Sequence, residues 1–344
     1  MSEPITIVGG GLAGLTLGIG LRQRGIPVTL WEAGRFPRNR VCGEFISGRG
    51  QDALARLGLL PALENAGACP ARSAAFFAGN ASVPQRPLAQ PGLCISRFVL
   101  DKLLADEFQR LGGELKAGER WRGADGAGIV QASGRRVEPV VGGYRWIGLK
   151  VHARNVLTSA DMELHFLPSG YVGVCRLPGG IFNVCGMFRS ETTFPDLSKT
   201  WRHLLRGPAD SALHARLASV PFDEETFCAV AGLDTRPRKA ARLAGCCIGD
   251  ALTMIPPMTG NGMSMALESA EFATGPLVEY SRGRLEWSQA RRKIAQACDA
   301  SFSRRLLWAG WLQRLLFLPP ARTLLMRLTA RSERLGHALF KLTR

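Results

Sequence analysis

The sequence predicts an α/β chain, α+β in its total content. A nucleotide-binding sheet is interrupted by an inserted antiparallel sheet and followed by a helical C-terminus. Three observations predict it. An apolar run at residues 5–8 feeds directly into glycines at 9, 11 and 14. Between Trp146 and Val230 the texture changes to short alternating runs separated by turns. Beyond residue 281 apolar and basic residues alternate at helical spacing.

The opening segment has the order strand, glycines, helix, strand, acid. Ile5-Thr6-Ile7-Val8 is the strand, and Gly9, Gly11 and Gly14 form G-x-G-x-x-G. A helix is expected over Leu12–Arg24, stopped by Gly25. A second strand over Pro27–Trp31 ends on Glu32, 18 residues past Gly14 and 23 past Gly9. This is a Rossmann-like dinucleotide signature. Gly9 allows the tight turn, Gly11 lets backbone approach a pyrophosphate, and Gly14 brings helix and strand together. The N–H groups of the first helical turn, with Leu12 and Ala13, then face phosphate, and Glu32 is placed to accept from ribose hydroxyls.

Three arginines and one cysteine follow in Arg35-Phe36-Pro37-Arg38-Asn39-Arg40-Val41-Cys42-Gly43-Glu44. A helix is expected over Gln51–Ala66 and an apolar strand-like patch over Ser73–Phe77. Pro84, Pro87 and Pro91 read as breaks in regular structure. Ile95-Ser96-Arg97-Phe98-Val99-Leu100-Asp101 opens a helix to about Leu111, stopped by Gly112-Gly113. Strands are expected at Glu114–Trp121 and Ile129–Ala132, the latter leading into Ser133-Gly134-Arg135-Arg136. Further strands are expected at 147–152, 162–166, 171–175 and 182–186. Ala244–Ala251 reads as a buried strand delivering Gly249-Asp250. After Pro256-Pro257, the run Gly260-Asn261-Gly262-Met263 opens a helix over Ser264–Thr274.

These segments resemble the geranylgeranyl reductase family of FAD enzymes, related in fold to flavoprotein monooxygenases of the p-hydroxybenzoate hydroxylase type. The likeness covers Ile5 to about Leu285. It rests on the C-G-E loop, on I-S-R-x-x-L-D, on Pro168-Ser169-Gly170-Tyr171 with Asn183-Val184, and on G-D-A with P-P-x-x-G-x-G-M. The resemblance implies FAD held at Gly9, Gly11, Leu12, Ala13, Gly14, Glu32 and Ala33. It adds Arg40, Val41, Cys42 and Gly43 from the loop, then Arg97, Gly249, Asp250, Gly260, Asn261, Gly262 and Met263. Cys42, near the isoalloxazine face, is a candidate catalytic residue or a packing one. The chain departs from the family twice. Ser133 stands where an aspartate is usual, and Val172–Cys175 replaces an aromatic run, which implies a reshaped pocket. The expected division is an FAD-binding domain at 1–70, 95–145 and 240–280, a substrate sheet at 71–94 and 146–239, and basic helices at 281–344.

Composition narrows the function. The 46% hydrophobic fraction is that of a globular protein, and no uninterrupted apolar run reaches spanning length. Nine scattered cysteines without a C-x-x-C pair suggest neither a disulfide scaffold nor a zinc site, and a reducing, cytoplasmic setting is expected. A first strand close behind Met1 leaves no room for a secretory signal. The five histidines show no ligand spacing, and His152 and His165 read as satisfied sheet residues. From Arg282 onward fourteen lysines and arginines face only Glu286, Asp299 and Glu333, so most of the +16 net charge lies there. That tail reads as a helical cap over the substrate sheet, as a peripheral contact with anionic membrane, or as both. No nucleic-acid motif is present. The expected function is an FAD-dependent oxidoreductase acting on an apolar small molecule. The main expectation, toward which the C-G-E loop leans, is hydride transfer from reduced FAD to a C=C bond. The alternative is a monooxygenase that hydroxylates or epoxidises an aromatic or apolar substrate, with a non-catalytic electron carrier as a third reading. NAD(P)H, lacking a second fingerprint, would be a transient reductant.

Overall fold

A computed structural model describes residues 2–79, 81–194 and 196–342; Met1 and Arg344, which bound the expected divisions 1–70 and 281–344, lie outside them. The chain begins with β1 (Ile5–Val8), α1 (Leu12–Arg22), β2 (Val28–Glu32), β3 (Phe45–Ile46), α2 (Gly48–Arg56) and α3 (Leu60–Asn65). Next come β4 (Cys69–Ala78), β5 (Ala81–Cys94), α4 (Arg97–Arg110), β6 (Glu114–Ala117) and β7 (Ile129–Gln131). The middle holds β8 (Arg145–Arg154), β9 (Met162–Leu167), β10 (Gly170–Arg176), β11 (Ile181–Ser190), α5 (Leu197–Arg206), α6 (Ala212–Leu217) and β12 (Phe222–Ala231). The chain closes with β13 (Cys246–Cys247), α7 (Gly262–Ser281), α8 (Trp287–Leu316), α9 (Pro319–Arg331) and α10 (Glu333–Leu342).

Five strands form a parallel sheet in the order β13-β7-β1-β2-β6. Chain order reverses beside β1, so the carboxyl ends of β1 and its neighbours open a crevice of the kind that binds nucleotides. Its strands are apolar because helices cover them: Ile5, Ile7, Leu30 and Val130 join Leu15, Ile19, Leu104, Phe108, Leu267 and Phe302 in one core. The second sheet has the order β12-β8-β11-β10-β9-β4-β5-β3 and is antiparallel except at the parallel pair β4–β9. On one face Val151, Val184 and Val172 meet Trp201, Leu205 and Leu213 of α5 and α6.

Four expectations about elements are corrected. The segment from Gln51 to Ala66 is two helices, because Gly58 takes φ +71° and Leu59 N–H caps Leu54 C=O at 2.9 Å, closing α2. Pro84, Pro87 and Pro91 lie inside β5. Over residues 81–91 β5 pairs only with β4, since β3 reaches it at Leu93 and Cys94, so this stretch has one edge without a strand and tolerates proline. The strand expected to reach Trp121 stops at Ala117, where Gly118 turns at φ +87°. Helix α7 runs on through Gly275-Pro276 to Ser281 because buried Leu277 and Val278 hold its last turns in the core. The capping box of Glu286 and Gln289 starts α8 at Trp287, within the stretch expected to be helical.

Candidate functional site

The glycines at β1–α1 divide the work. Gly9 has φ +115°, and a Cβ there would collide with the Ala132 carbonyl. A Cβ on Gly14 would collide with Gly9 O, so this glycine sets the helix–strand approach. Gly11, the α1 N-cap, has nothing within 4 Å of such a Cβ; it faces a cavity. Leu12 and Ala13 line that cavity with it. A dinucleotide phosphate fits this arrangement: open space over the second glycine, with N–H donors at a helix start.

Glu32 stands at the end of β2, 7% exposed, and its carboxylate is already engaged. It accepts from Gly10 N–H and Gly34 N–H at 2.8 Å each, and pairs with Arg38 at 2.6 Å and Arg40 at 3.5 Å. Burial would raise its pKa, but the Arg38 hydrogen bond, Gly34 N–H and the two cations together hold it below the usual value. Ala33 beside it is exposed, and neither residue is among those lining the cavity.

The loop from Arg38 to Gly43 does line it. Arg40 Nε reaches Asp101 at 3.2 Å, and Arg97 grips the same carboxylate bidentately at 2.7 and 2.9 Å. Burial works against both guanidinium charges; in Arg97, Asp101 and Cys42 overcome it, so its pKa rises. Cys42 Sγ accepts Glu44 N–H at 3.4 Å. Burial pushes the Cys42 thiol up despite Arg97, so it stays protonated near neutral pH. That favours packing over nucleophilic work.

Sequence reasoning passed over the residues that hold this loop. Glu44 is fully buried at φ +55°. Its carboxylate accepts Arg97 N–H at 2.8 Å, meets His152 Nε2 at 2.7 Å and faces Lys150 Nζ at 3.5 Å. Lys150 donates to Asn39 Oδ1 at 3.0 Å, and Asn183 Nδ2 donates to Cys42 O at 2.8 Å. Strands β8 and β11 of the second sheet therefore clamp a loop of the first. The charged letters in otherwise apolar strands were the available signal. His165 is likewise partnered, by Glu163 at 2.9 Å.

From the C-terminal half, Gly249 turns at φ +58° and donates to Ser269 Oγ at 2.9 Å, and a Cβ on it would press on Ala13 at 2.8 Å. The two glycine segments thus meet. Asp250 lines the cavity; burial raises its pKa, opposed by Arg97, Arg135, Arg40 and Arg238. Gly260, Gly262 and Met263 line it at the start of α7, whereas Asn261 turns inward to Ser47 Oγ at 2.8 Å. Ser133, Gly134 and Arg135 are on the wall, whereas the nearby Asp125 is exposed and bonded to Gln131.

The cavity measures about 650 Å³ and extends from the α1 glycines to an apolar chamber. Phe76, Leu164, Phe166, Met187, Met254, Leu316 and Met326 line that chamber. Tyr171 OH, accepting Met258 N–H at 3.0 Å, ties the second sheet to the segment ahead of α7. Among the described residues no group of three or more His, Cys, Asp or Glu is placed to hold a metal ion.

Residues 7–49 match the model of an NAD(P)-binding Rossmann-like domain. The chain is 23% identical over 338 residues to conditioned medium factor receptor 1 of Dictyostelium discoideum, an alignment covering 80% of this chain and 63% of that protein. It thus spans less than two thirds of that relative's length. Among solved structures, the flavin-dependent brominase Bmp2 superposes with a TM-score of 0.76 at 16% identity, over 100% of this chain and 94% of that one. A flavoprotein/dehydrogenase from Cytophaga hutchinsonii gives 0.71 at 18% identity, over 98% and 96%. PqsL of Pseudomonas aeruginosa, described as a probable FAD-dependent monooxygenase, gives 0.69 at 16%, over 93% and 98%. The chain thus shares the overall fold of these flavin-dependent structures.

Proposed function

We propose that this chain is an FAD-dependent oxidoreductase, a monooxygenase acting on an apolar small molecule. The observation that carries the reading is the single cavity that begins at Gly11 and ends among Phe166, Met187, Met254 and Met326. A dinucleotide phosphate belongs at its glycine end and an uncharged, water-avoiding molecule at the other. The named neighbours of halogenase and monooxygenase type support the same chemistry. Gly11 with Leu12 and Ala13 would hold the pyrophosphate. Asp250 is placed for a ribityl hydroxyl, and the N-terminus of α7 at Gly262 favours negative charge on the reduced ring. Bound FAD would supply the redox chemistry, while the chain orients it and keeps water from the apolar chamber. NAD(P)H would reduce it transiently.

The Cys42-Gly43-Glu44 loop on the cavity wall favours a second reading, the hydride-transferring reductase of the geranylgeranyl reductase family. Rapid mixing separates the two. The purified protein should be yellow; reduced without oxygen and then mixed with it, it should show a transient near-ultraviolet absorbance before the oxidised spectrum returns. Direct return would put the reductase first. A protein that neither retains nor rebinds FAD would overturn both.

A further inference from the structure

Helices α8 and α9 are a wall one helix thick. Their inner side chains Leu312, Leu316, Leu325 and Met326 line the chamber. Their outer sides carry a second apolar surface. On α8, Arg304, Leu307, Trp311 and Arg314 are all exposed and recur every three or four residues, which puts them on one stripe, and Leu318 between α8 and α9 is exposed as well. On α9, Leu324, Arg327, Leu328 and Arg331 do the same. Leu307 is 67% exposed, Leu324 59% and Leu318 55%. Half of the ten large apolar residues that stand exposed among the described residues fall between 307 and 328. No carboxylate among the described residues pairs with Arg304, Arg314, Arg327 or Arg331. The wall is latched inward, since Arg86 donates to Thr329 O and Ala330 O at 3.0 and 2.9 Å and Arg322 to Leu167 O at 3.2 Å.

We infer that this outer face docks on an anionic lipid bilayer. Leucines and a tryptophan interleaved with unpaired arginines suit an interface that takes apolar side chains beneath a layer of negative headgroups. A second copy of the chain would set four arginines against four. A nucleic acid would leave the leucines in water. Resting on the reading of the chamber as a site for an apolar molecule, the docked bilayer is also where that molecule is drawn from, because α9 separates the two. No helix among the described residues is long and apolar enough to cross a bilayer.

The test is flotation of the FAD-loaded full chain with vesicles of phosphatidylglycerol and phosphatidylcholine, against phosphatidylcholine alone, at low and high salt. Binding is expected on the anionic vesicles and should weaken with salt. Each arginine removed from the set Arg304→Gln, Arg314→Gln, Arg327→Gln and Arg331→Gln should lower partition about fivefold. The double variant Leu307→Ser, Trp311→Ser should lose the binding that remains at high salt. Flavin content and melting temperature, unchanged in these outward variants, show that the fold is intact. Absence of flotation in every condition overturns the inference. So does a wild-type dimer that the double variant splits while vesicles bind neither. An FAD-free protein that floats would retain the docking and sink the proposed function instead.

Discussion

Glu32 and Glu163 are both nearly sealed from water, both draw in arginines, and both carry a pKa held below the usual value. Their partners differ in kind. Glu32 ends a parallel strand and binds two backbone N–H groups, with Arg38 and Arg40 only a few residues on. Glu163 sits inside β9 of the second sheet and binds mainly side chains, His165, Ser159 Oγ and Arg216 from α6, with Ser159 N–H as its one backbone donor. The pleat sends its side chain to the face opposite those of Leu164 and Phe166, although Glu163 itself also borders the cavity. The first sheet presents backbone at its edge and leaves space there. The second fills one face with a satisfied ionic knot and gives the other to the cavity. Polar satisfaction around Glu32 belongs to a binding edge; around Glu163 it belongs to the architecture.

Substitutions at two glycines should break this contrast most sharply. Gly14→Val drives a side chain into the Gly9 carbonyl, which cannot give way, and should cost more than about 4 kcal/mol, seen as loss of a cooperative melt. Gly11→Val points into open space and should stay within about 1 kcal/mol of the parent while losing flavin absorbance. Equal damage from both would remove the division between packing and binding glycines.

Glu44 probes the joint between the sheets. Glu44→Ala leaves Lys150 buried without its carboxylate and should cost about 3–5 kcal/mol in urea unfolding, with Glu44→Gln recovering part of it. An indifferent Glu44→Ala would mean that the second sheet does not hold the loop.

The smallest effect is a pH dependence belonging to the second sheet. Burial would raise the Glu163 carboxyl, but His165, Arg216 and Ser159 bring it down to about 2. Its folded value is below its unfolded one, so the stability it contributes is present above pH about 4.5 and drains away as pH falls toward 2. Burial lowers His165 against the pull of Glu163, so protonation below the ordinary histidine range also favours unfolding. The acid limb of the melting curve should be steeper in the parent than in Glu163→Gln; parallel limbs would remove the ionic knot from the account.

The comparison also explains what could be read from the letters alone. The glycine cradle, Glu32 and the segment through Asp250 to Met263 depend on backbone needs and short spacings, and both leave marks in sequence. The Glu44–Lys150–His152 cluster joins residues more than a hundred positions apart, and no local pattern announces it. The prolines of β5 misled because a strand's tolerance for proline depends on which neighbour is absent, a property of the sheet. Asn261 sits inside a cofactor-like motif yet spends its side chain on Ser47, because the buried turn ahead of α7 needs a partner there.

Helix α8 runs thirty residues, about 45 Å. Buried Arg305 locks it to Glu268 of α7 by hydrogen bonds of 2.8 and 2.6 Å, eleven residues before Leu316 reaches the chamber. One stiff rod thus joins the helix that starts at the cavity-lining glycines to the far wall of the chamber, like the beam of a caliper. The gap it sets is fixed at folding rather than adjusted on contact. Molecules should be sorted by girth, with a sharp upper cut-off, and widening the range would require shortening side chains at Leu312 or Leu316 rather than loosening a loop.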